Sequence, residues 1–241
     1  MIPKPKCTIL QHSDPETCYQ CAIKENPNNA NNRPRRSLLK AVSPIGKQWS
    51  PYKLLKVAFI DDTPIRVQRI IETAALAWQP YINLSIVFVK GKQGDIRITT
   101  NPEGGFYSAI GTDSLAFSDD EATMNLTTNT SIDYLITSTK HEFGHALGLS
   151  HEHQHPDAGI PWNKPKVYEF YRKHQKWTRK EIYHNVLRKV PGRDFFKTPY
   201  DVKSIMHYEV ENELTDGDWS TSENSDISDG DIKLIKWLYP L

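Results

Sequence analysis

After Cys21 this sequence has no cysteine. Its three thiols, Cys7, Cys18 and Cys21, all fall near one end of the 241 residues. An odd, clustered count is not a disulfide framework, so the rest of the chain must be held together by a core alone. Long apolar runs are also missing. The longest apolar-rich stretches, residues 84–89 and 146–149, are strand- or turn-sized, and no membrane span is expected. Charge of either sign is not in excess: 30 Lys and Arg stand against 29 Asp and Glu. That balance gives no reason to expect nucleic acid or an anionic membrane as a partner. The opening Met-Ile-Pro-Lys-Pro-Lys-Cys has neither an apolar core nor a small-residue cleavage site, so no signal peptide is expected. Cytoplasmic residence, leaderless export and a trimmed leader all stay open.

What is present divides near residues 46–49. Residues 1–48 carry Pro, Asn and basic residues with little periodicity, and the run from Glu25 to Arg36 reads as a linker or exposed loop. They form an N-terminal extension, a possible propeptide, ahead of a domain over residues 49–241. From Lys53 the pattern is regular. Strands are expected at 54–60, 84–89, 95–100 and 122–127. Val67, Ile70, Ile71, Ala74, Ala75 and Trp78 recur at helical spacing over 65–78, with Pro80 just beyond. Helices are also expected over 133–147, over 164–187 and, with Ser228 as cap, over 228–239. The elements make a mixed α/β (α+β) domain.

The chemistry sits in His141-Glu-Phe-Gly-His-Ala-Leu-Gly-Leu-Ser-His151. Residues four apart share one helical face, so His141 and His145 can offer two imidazoles to one metal ion. Glu142 stands beside them, able to reach a metal-bound water without ligating the metal. Gly148 tolerates positive φ and can end the helix sharply, bringing His151 round as a third ligand. Three protein ligands and one open position mark a catalytic zinc site. The pattern HExxHxxGxxH matches the metzincin signature. It implies one catalytic Zn2+ on His141, His145 and His151. Zinc would acidify the bound water and polarise a carbonyl, and Glu142 would take the water proton and return it to the leaving amine.

A second segment narrows the resemblance. Pro199-Tyr-Asp-Val-Lys-Ser-Ile-Met-His-Tyr208 looks like the Met-turn of the astacin family. By that resemblance Met206 forms the hydrophobic floor of the site. Tyr208 is a further zinc ligand that swings away to stabilise the intermediate. Glu152 after the third histidine, Asp157 downstream, Gly105-Phe-Tyr-Ser-Ala-Ile-Gly111 and the final helix are also similar to the family, over about Trp49 to Tyr239. The resemblance implies a metzincin zincin-like fold: a twisted mixed sheet, an active-site helix and an irregular C-terminal subdomain. It also implies a zinc-dependent endopeptidase acting on protein or peptide substrates. Such a substrate would pair with an edge strand, expected near residues 112–117. A monomer is expected.

Several features depart from the family. Its secreted members carry two disulfides in this domain, and here no cysteine is available for either. That absence, with the missing signal, fits a leaderless secreted bacterial enzyme or effector, with a cytoplasmic protein as the alternative. His155 replaces the family's usual Arg. Glu152, which in the family pairs with a freed N-terminus, needs proteolysis or another partner. Residues 1–48 hold no family-type Phe-x-Gly-Asp inhibitory motif. Cys7 could instead silence the zinc as a thiolate ligand; a free exposed cysteine is the plainer reading. Cys18-x-x-Cys21 reads as a thiol pair or a local disulfide. Arg33-Pro-Arg-Arg36 could be a processing site or a solvated loop. His153, His155, His174, His184 and His207 are not read as ligands. Asn83, Asn125 and Asn129 head glycosylation triplets that matter only on a secretory route.

Overall fold

The structure is a computed structural model that describes residues 7–32, 43–44, 46–189, 195–196 and 198–241. Its strands are β1 (Thr8–Leu10), β2 (Ser43–Pro44), β3 (Leu54–Phe59), β4 (Ser85–Phe88), β5 (Ile96–Thr99), β6 (Phe106–Ala109), β7 (Met124–Leu126) and β8 (Phe195–Phe196). Its helices are α1 (Pro15–Glu25), α2 (Ile65–Ala75), α3 (Ile132–Ala146), α4 (Lys164–His174), α5 (Arg179–Ile182) and α6 (Asp229–Leu238). Six strands form one mixed sheet in the order β1-β6-β7-β5-β3-β4. β3 is parallel to both β4 and β5, β5 is parallel to β7, and β6 runs antiparallel to β7. The parallel pairing of β3 on both sides buries Leu55, Val57 and Ala58 and explains why residues 54–60 read as a nearly continuous apolar run, whereas β4, at the edge of the sheet, alternates, with Ile86 buried and Val87 exposed.

The expected α/β class and its principal strands and helices are present, with instructive differences. The helix from Ile65 gives way at Leu76 to a 3-10 turn through Tyr81 that contains Pro80. The helical stretch over 164–187 breaks after His174, where Lys176 takes φ 60°, and resumes at α5. The expected edge strand at 112–117 is instead a 3-10 turn, Gly111–Ala116. Gly111 there has φ 51°, and its Cα faces the Lys47 carbonyl so closely that no Cβ would fit. The strand lies just upstream, at β6. β1 from the N-terminal extension pairs with β6 in parallel, Thr8 opposite Tyr107 and Leu10 opposite Ala109.

The extension is more ordered than its composition implied. Asp14 caps α1 by accepting from the Glu16 N–H, with Pro15 at the first helical position. α1 packs on the Gly111–Ala116 turn. Part of the run taken for a linker is buried. Asn26 donates to the Trp49 carbonyl at 3.0 Å, and Asn29, 1% exposed, donates to the Ala22 carbonyl at 2.9 Å. Short amides here satisfy buried carbonyls, which composition does not reveal. The half-buried Lys53 ammonium joins Glu25 of α1 at 2.9 Å and Asp95 at 3.2 Å. Arg33 to Arg36 lies outside the described residues. Among the described residues no helix is long and apolar enough to cross a membrane.

The core lies between the sheet and α2, α3 and α6. Three buried aromatic donors hold carbonyls of α3 or its C-cap. Trp78 Nε1 donates to Lys140 at 2.9 Å, Trp49 Nε1 to Ala146 at 2.8 Å, and the Tyr239 hydroxyl to Leu147 at 3.0 Å. The last two carbonyls belong to the helix end, where no backbone partner remains. The helix bearing the motif is thus fixed from outside along its length.

Candidate active site

α3 starts with Ser131 as cap, accepting from the Tyr134 N–H, and carries His141, Glu142 and His145 in its buried last turns. Gly148, at φ 99°, stops it. The Leu149 N–H bonds the Gly144 carbonyl and the Gly148 N–H bonds the His145 carbonyl, both at 2.8 Å. This pair of bonds is the Schellman ending, and it requires a left-handed residue where Gly148 stands. The chain then reverses, and His151 comes back against the helix.

The result is a tight cluster. One ligand atom each from Cys7, His141, His145 and His151 lie within 4.8 Å of one another. His141 Nδ1 donates to the Ile205 carbonyl and His145 Nδ1 to the Leu149 carbonyl, both at 2.7 Å. These bonds fix the tautomers and leave both Nε2 atoms as bare lone pairs. His141 Nε2 has no hydrogen-bond partner among the described residues, and His145 Nε2 lies 3.0 Å from His151 Nε2. Two nitrogens bound tetrahedrally at ~2.0–2.1 Å stand about 3.3 Å apart, close to this spacing. Burial lowers the His141 pKa to about 4, partly opposed by the Ile205 carbonyl. Burial, then His141, holds the His145 pKa well below the usual imidazole range, opposed by the Leu149 carbonyl. Neutral imidazoles in a dry pocket, aimed at one point, are the donors zinc prefers, and the nitrogen-sulfur set fits it.

Cys7 corrects the plainer expectation. It is 9% exposed and is not a solvated thiol. Burial, then the Glu142 carboxylate, pushes its pKa well up in the metal-free protein. A cation at the cluster would invert that balance and favour the thiolate. Glu142 is fully buried, its pKa raised by burial, and neither carboxylate oxygen has a hydrogen-bond partner among the described residues.

The turn at Ser204–Tyr208 sits beneath. Met206, 2% exposed, packs against Gly144 so closely that a Cβ there would strike its sulfur. The turn is held from α6. Asp231 accepts from the Ser204 hydroxyl at 2.6 Å and the Ile205 N–H at 2.8 Å, while also closing the Ser228 capping box. Glu152 has found another partner than a chain terminus: its Oε1 accepts from the Asp201 N–H at 2.9 Å. Burial raises its pKa to about 8. The Tyr208 hydroxyl donates to the Cys7 carbonyl, and its ring stacks on His153 at 4.1 Å and lies 4.5 Å from His151. His155, in place of the family's arginine, bonds the Thr198 carbonyl at 3.0 Å and lies 3.7 Å from Asp157.

The structure therefore brings His141, Glu142, His145, His151 and Tyr208 together. Sequence reasoning did not anticipate Asp231 as the anchor of the Met-turn. Its local signal, Ser228-x-x-Asp231, announces a capped helix but not the long-range bonds made by the same carboxylate.

The model of the Astacin peptidase family matches residues 41–239. The zinc metalloproteinase nas-38 of Caenorhabditis elegans is 24% identical over 171 residues, 69% of this chain. This chain spans only 20% of that relative's length. A structure of myroilysin superposes with a TM-score of 0.78 at 33% identity, covering 83% of this chain and 99% of that one. A crystal structure of myroilysin gives 0.63 at 30%, covering 98% and 100%. The fold extends to high choriolytic enzyme 1, a hatching enzyme zinc-protease from Oryzias latipes (medaka fish), with a TM-score of 0.54 at 18% identity over 77% and 88%. The family match spans the histidine motif, the Ser204–Tyr208 turn and the final helix, and the chain belongs to the astacin family of peptidases.

Proposed function

We propose that the protein is a zinc-dependent endopeptidase made as a latent precursor. The observation that carries this is the buried convergence of three imidazoles beside a carboxylate without a hydrogen-bond partner among the described residues. His141, His145 and His151 would hold one Zn2+, which supplies Lewis acidity for polarising a carbonyl and acidifying water. Glu142 removes a proton from the attacking water and returns it to the leaving amine. Tyr208 donates to the carbonyl oxygen as that oxygen gains charge. A protein or peptide substrate lies extended along β6 and takes the position now filled by β1.

Latency rests on three contacts of the extension over residues 1–48. Cys7 completes the donor set, its carbonyl engages Tyr208, and β1 covers the edge of the sheet. The enzyme works as an exported monomer, since a precursor silenced until processed is suited to release from the cell. Finding the chain only in the cytosol, or as a stable oligomer, would overturn that part.

The test is cleavage of a quenched fluorescent peptide library, with zinc content measured alongside, by the full chain, Cys7→Ala and Cys7→Ala/Glu142→Gln. Cutting by Cys7→Ala that chelation stops, and an inert Glu142→Gln form that still holds stoichiometric zinc, are expected. Zinc-loaded Cys7→Ala chain that cuts nothing, before or after limited proteolysis of the extension, refutes the peptidase assignment. In the cobalt-substituted full chain a sulfur-to-metal charge-transfer band is expected, absent in Cys7→Ala; no such band would remove Cys7 from the metal.

A further inference from the structure

The thiol pair of the extension lies where the extension grips the domain. Cys18 and Cys21 are both free thiols on α1, three residues apart, and α1 packs on the Gly111–Ala116 turn. Each thiol meets that turn. Cys21 Sγ donates to the Leu115 carbonyl at 3.5 Å. Cys18 lies close enough to Asp113 for that carboxylate to add to the rise that burial imposes on its pKa, which Lys47 partly opposes and which reaches about 12. Exposure divides the pair. Cys18 is 8% exposed, whereas Cys21 is half-buried and lines an open hollow of about 550 Å³ with Gln20, Ile23, Lys24, Pro27 and Ala30.

Asp113 is only half matched. It is 5% exposed, Lys47 holds its Oδ2, and its Oδ1 is buried without a hydrogen-bond partner among the described residues. Such an oxygen beside a buried thiol is an available proton acceptor. Helix geometry then sets what the two sulfurs can do. Residues three apart on a helix have Cα atoms about 5 Å apart, inside the range of roughly 4.4–6.8 Å that a disulfide spans. Their Cβ atoms start about 5–6 Å apart and must close to about 3.5–4.5 Å. Forming the bond therefore turns both sulfurs toward each other and away from Leu115 and Asp113.

We propose that Cys18 and Cys21 form a redox site for small disulfides of the glutathione class, and that closing their own disulfide loosens α1 from the domain. The second half rests on the latent peptidase stated above and names its regulation. Cys21 gives its proton to water, and its sulfur attacks one sulfur of the small disulfide. The attacked S–S bond breaks, and the first glutathione leaves as a thiolate that takes up a proton. Cys18 then passes its proton to Asp113 Oδ1 and attacks the Cys21 sulfur. The second glutathione leaves and collects that proton. Two protein thiols lose two electrons, and the small disulfide becomes two thiols. Lys24 at the hollow suits the carboxylates of such a ligand. The oxidised helix has lost the S–H donor to Leu115 and the contact of Cys18 with Asp113, so β1 and Cys7, which precede it, are tethered less firmly. A chain made in a reducing compartment stays latent, and one released into oxidising surroundings is readied for activation.

The test treats the zinc-loaded full chain with glutathione disulfide and follows intact mass and free-thiol count over time. The expected product has lost two hydrogens and retains no glutathione. Cys18→Ser is expected to stop at a mixed disulfide on Cys21, and Cys21→Ser to react at least tenfold more slowly than Cys18→Ser. Asp113→Asn is expected to form the mixed disulfide at an unchanged rate and to close the ring at least tenfold more slowly; equal slowing of both steps would remove Asp113 as the base. Cleavage of the extension by added trypsin is expected to quicken at least fivefold on oxidation, and not to change in Cys18→Ser/Cys21→Ser. A chain that keeps glutathione on Cys21 without closing the ring, or that reacts only when unfolded, refutes the redox site. A closed ring with the extension cut no faster refutes its link to latency. If the ring closes and the extension loosens, yet no peptide is cut in either state or after trypsin has removed the extension, the redox site stands and the peptidase reading fails.

Discussion

Substitution of Gly144 by alanine sets two effects of known sign against each other. Gly144 lies inside α3 between the two motif histidines, and alanine in a helix interior normally stabilises by about 1 kcal/mol. Here the new methyl would strike Met206 Sδ and come within 3.2 Å of its Cε and 3.3 Å of Trp78 Cζ2. Met206 is 2% exposed and Trp78 is fully buried, so neither can move aside into solvent. Overpacking of this kind costs about 1–3 kcal/mol. The net expectation is a loss of up to about 2 kcal/mol, read as a lower urea midpoint with an unchanged slope. Zinc affinity should fall too, because a shift of the Met-turn pulls the Ile205 carbonyl from His141. The double-mutant cycle with Met206→Ala isolates the contact. In that background the methyl has room, and Gly144→Ala should raise stability by about 1 kcal/mol even though Met206→Ala itself costs roughly 2–5. If Gly144→Ala alone stabilises the wild-type chain, the close approach of Met206 to the helix is refuted.

Two further perturbations probe the supporting structure. The buried Tyr171 hydroxyl has no hydrogen-bond partner among the described residues, so Tyr171→Phe should be neutral or stabilising by about 1 kcal/mol, and a marked loss of thermal stability would reveal a partner. Burial pushes the Asp61 carboxyl up, but bonds from the Thr100 N–H and the Thr63 and Thr99 hydroxyls outweigh it and hold the pKa low. A depressed folded pKa contributes stability that is present above the ordinary carboxylate range and is lost as pH falls through the folded value. Because water screens the exposed side of this carboxylate, Asp61→Asn should cost no more than about 1 kcal/mol near neutral pH and converge on the wild type in strong acid. Parallel pH–stability curves for the two proteins would refute the role of these bonds.

What could be read from the sequence was what depends on neighbours along the chain. His141 and His145 share a face because a helix repeats every 3.6 residues, and Gly148 ends that helix because its backbone must enter left-handed space. The Met-turn was recognisable as a local string. Pairings between distant segments leave no such trace. β6 spans four residues and its partner β1 three, too short for a clear alternation, so the edge strand was placed a few residues late. Asn26 and Asn29 look like loop residues until buried carbonyls are found beside them. The meeting of Cys7 with the histidines depends on β1 docking along β6, a contact between remote parts of the chain.

That docking has a consequence for any form of the chain from which β1 is removed. While β1 is in place, β6 has a neighbour on both sides. Once β1 departs, a row of backbone amides and carbonyls along β6 faces outward with no strand against it, and such a row is a template for any extended chain, including a second copy of the same protein. Solubility and freedom from self-association would then depend on how soon another peptide covers that edge, so a chain lacking β1 should be harder to concentrate than the full chain.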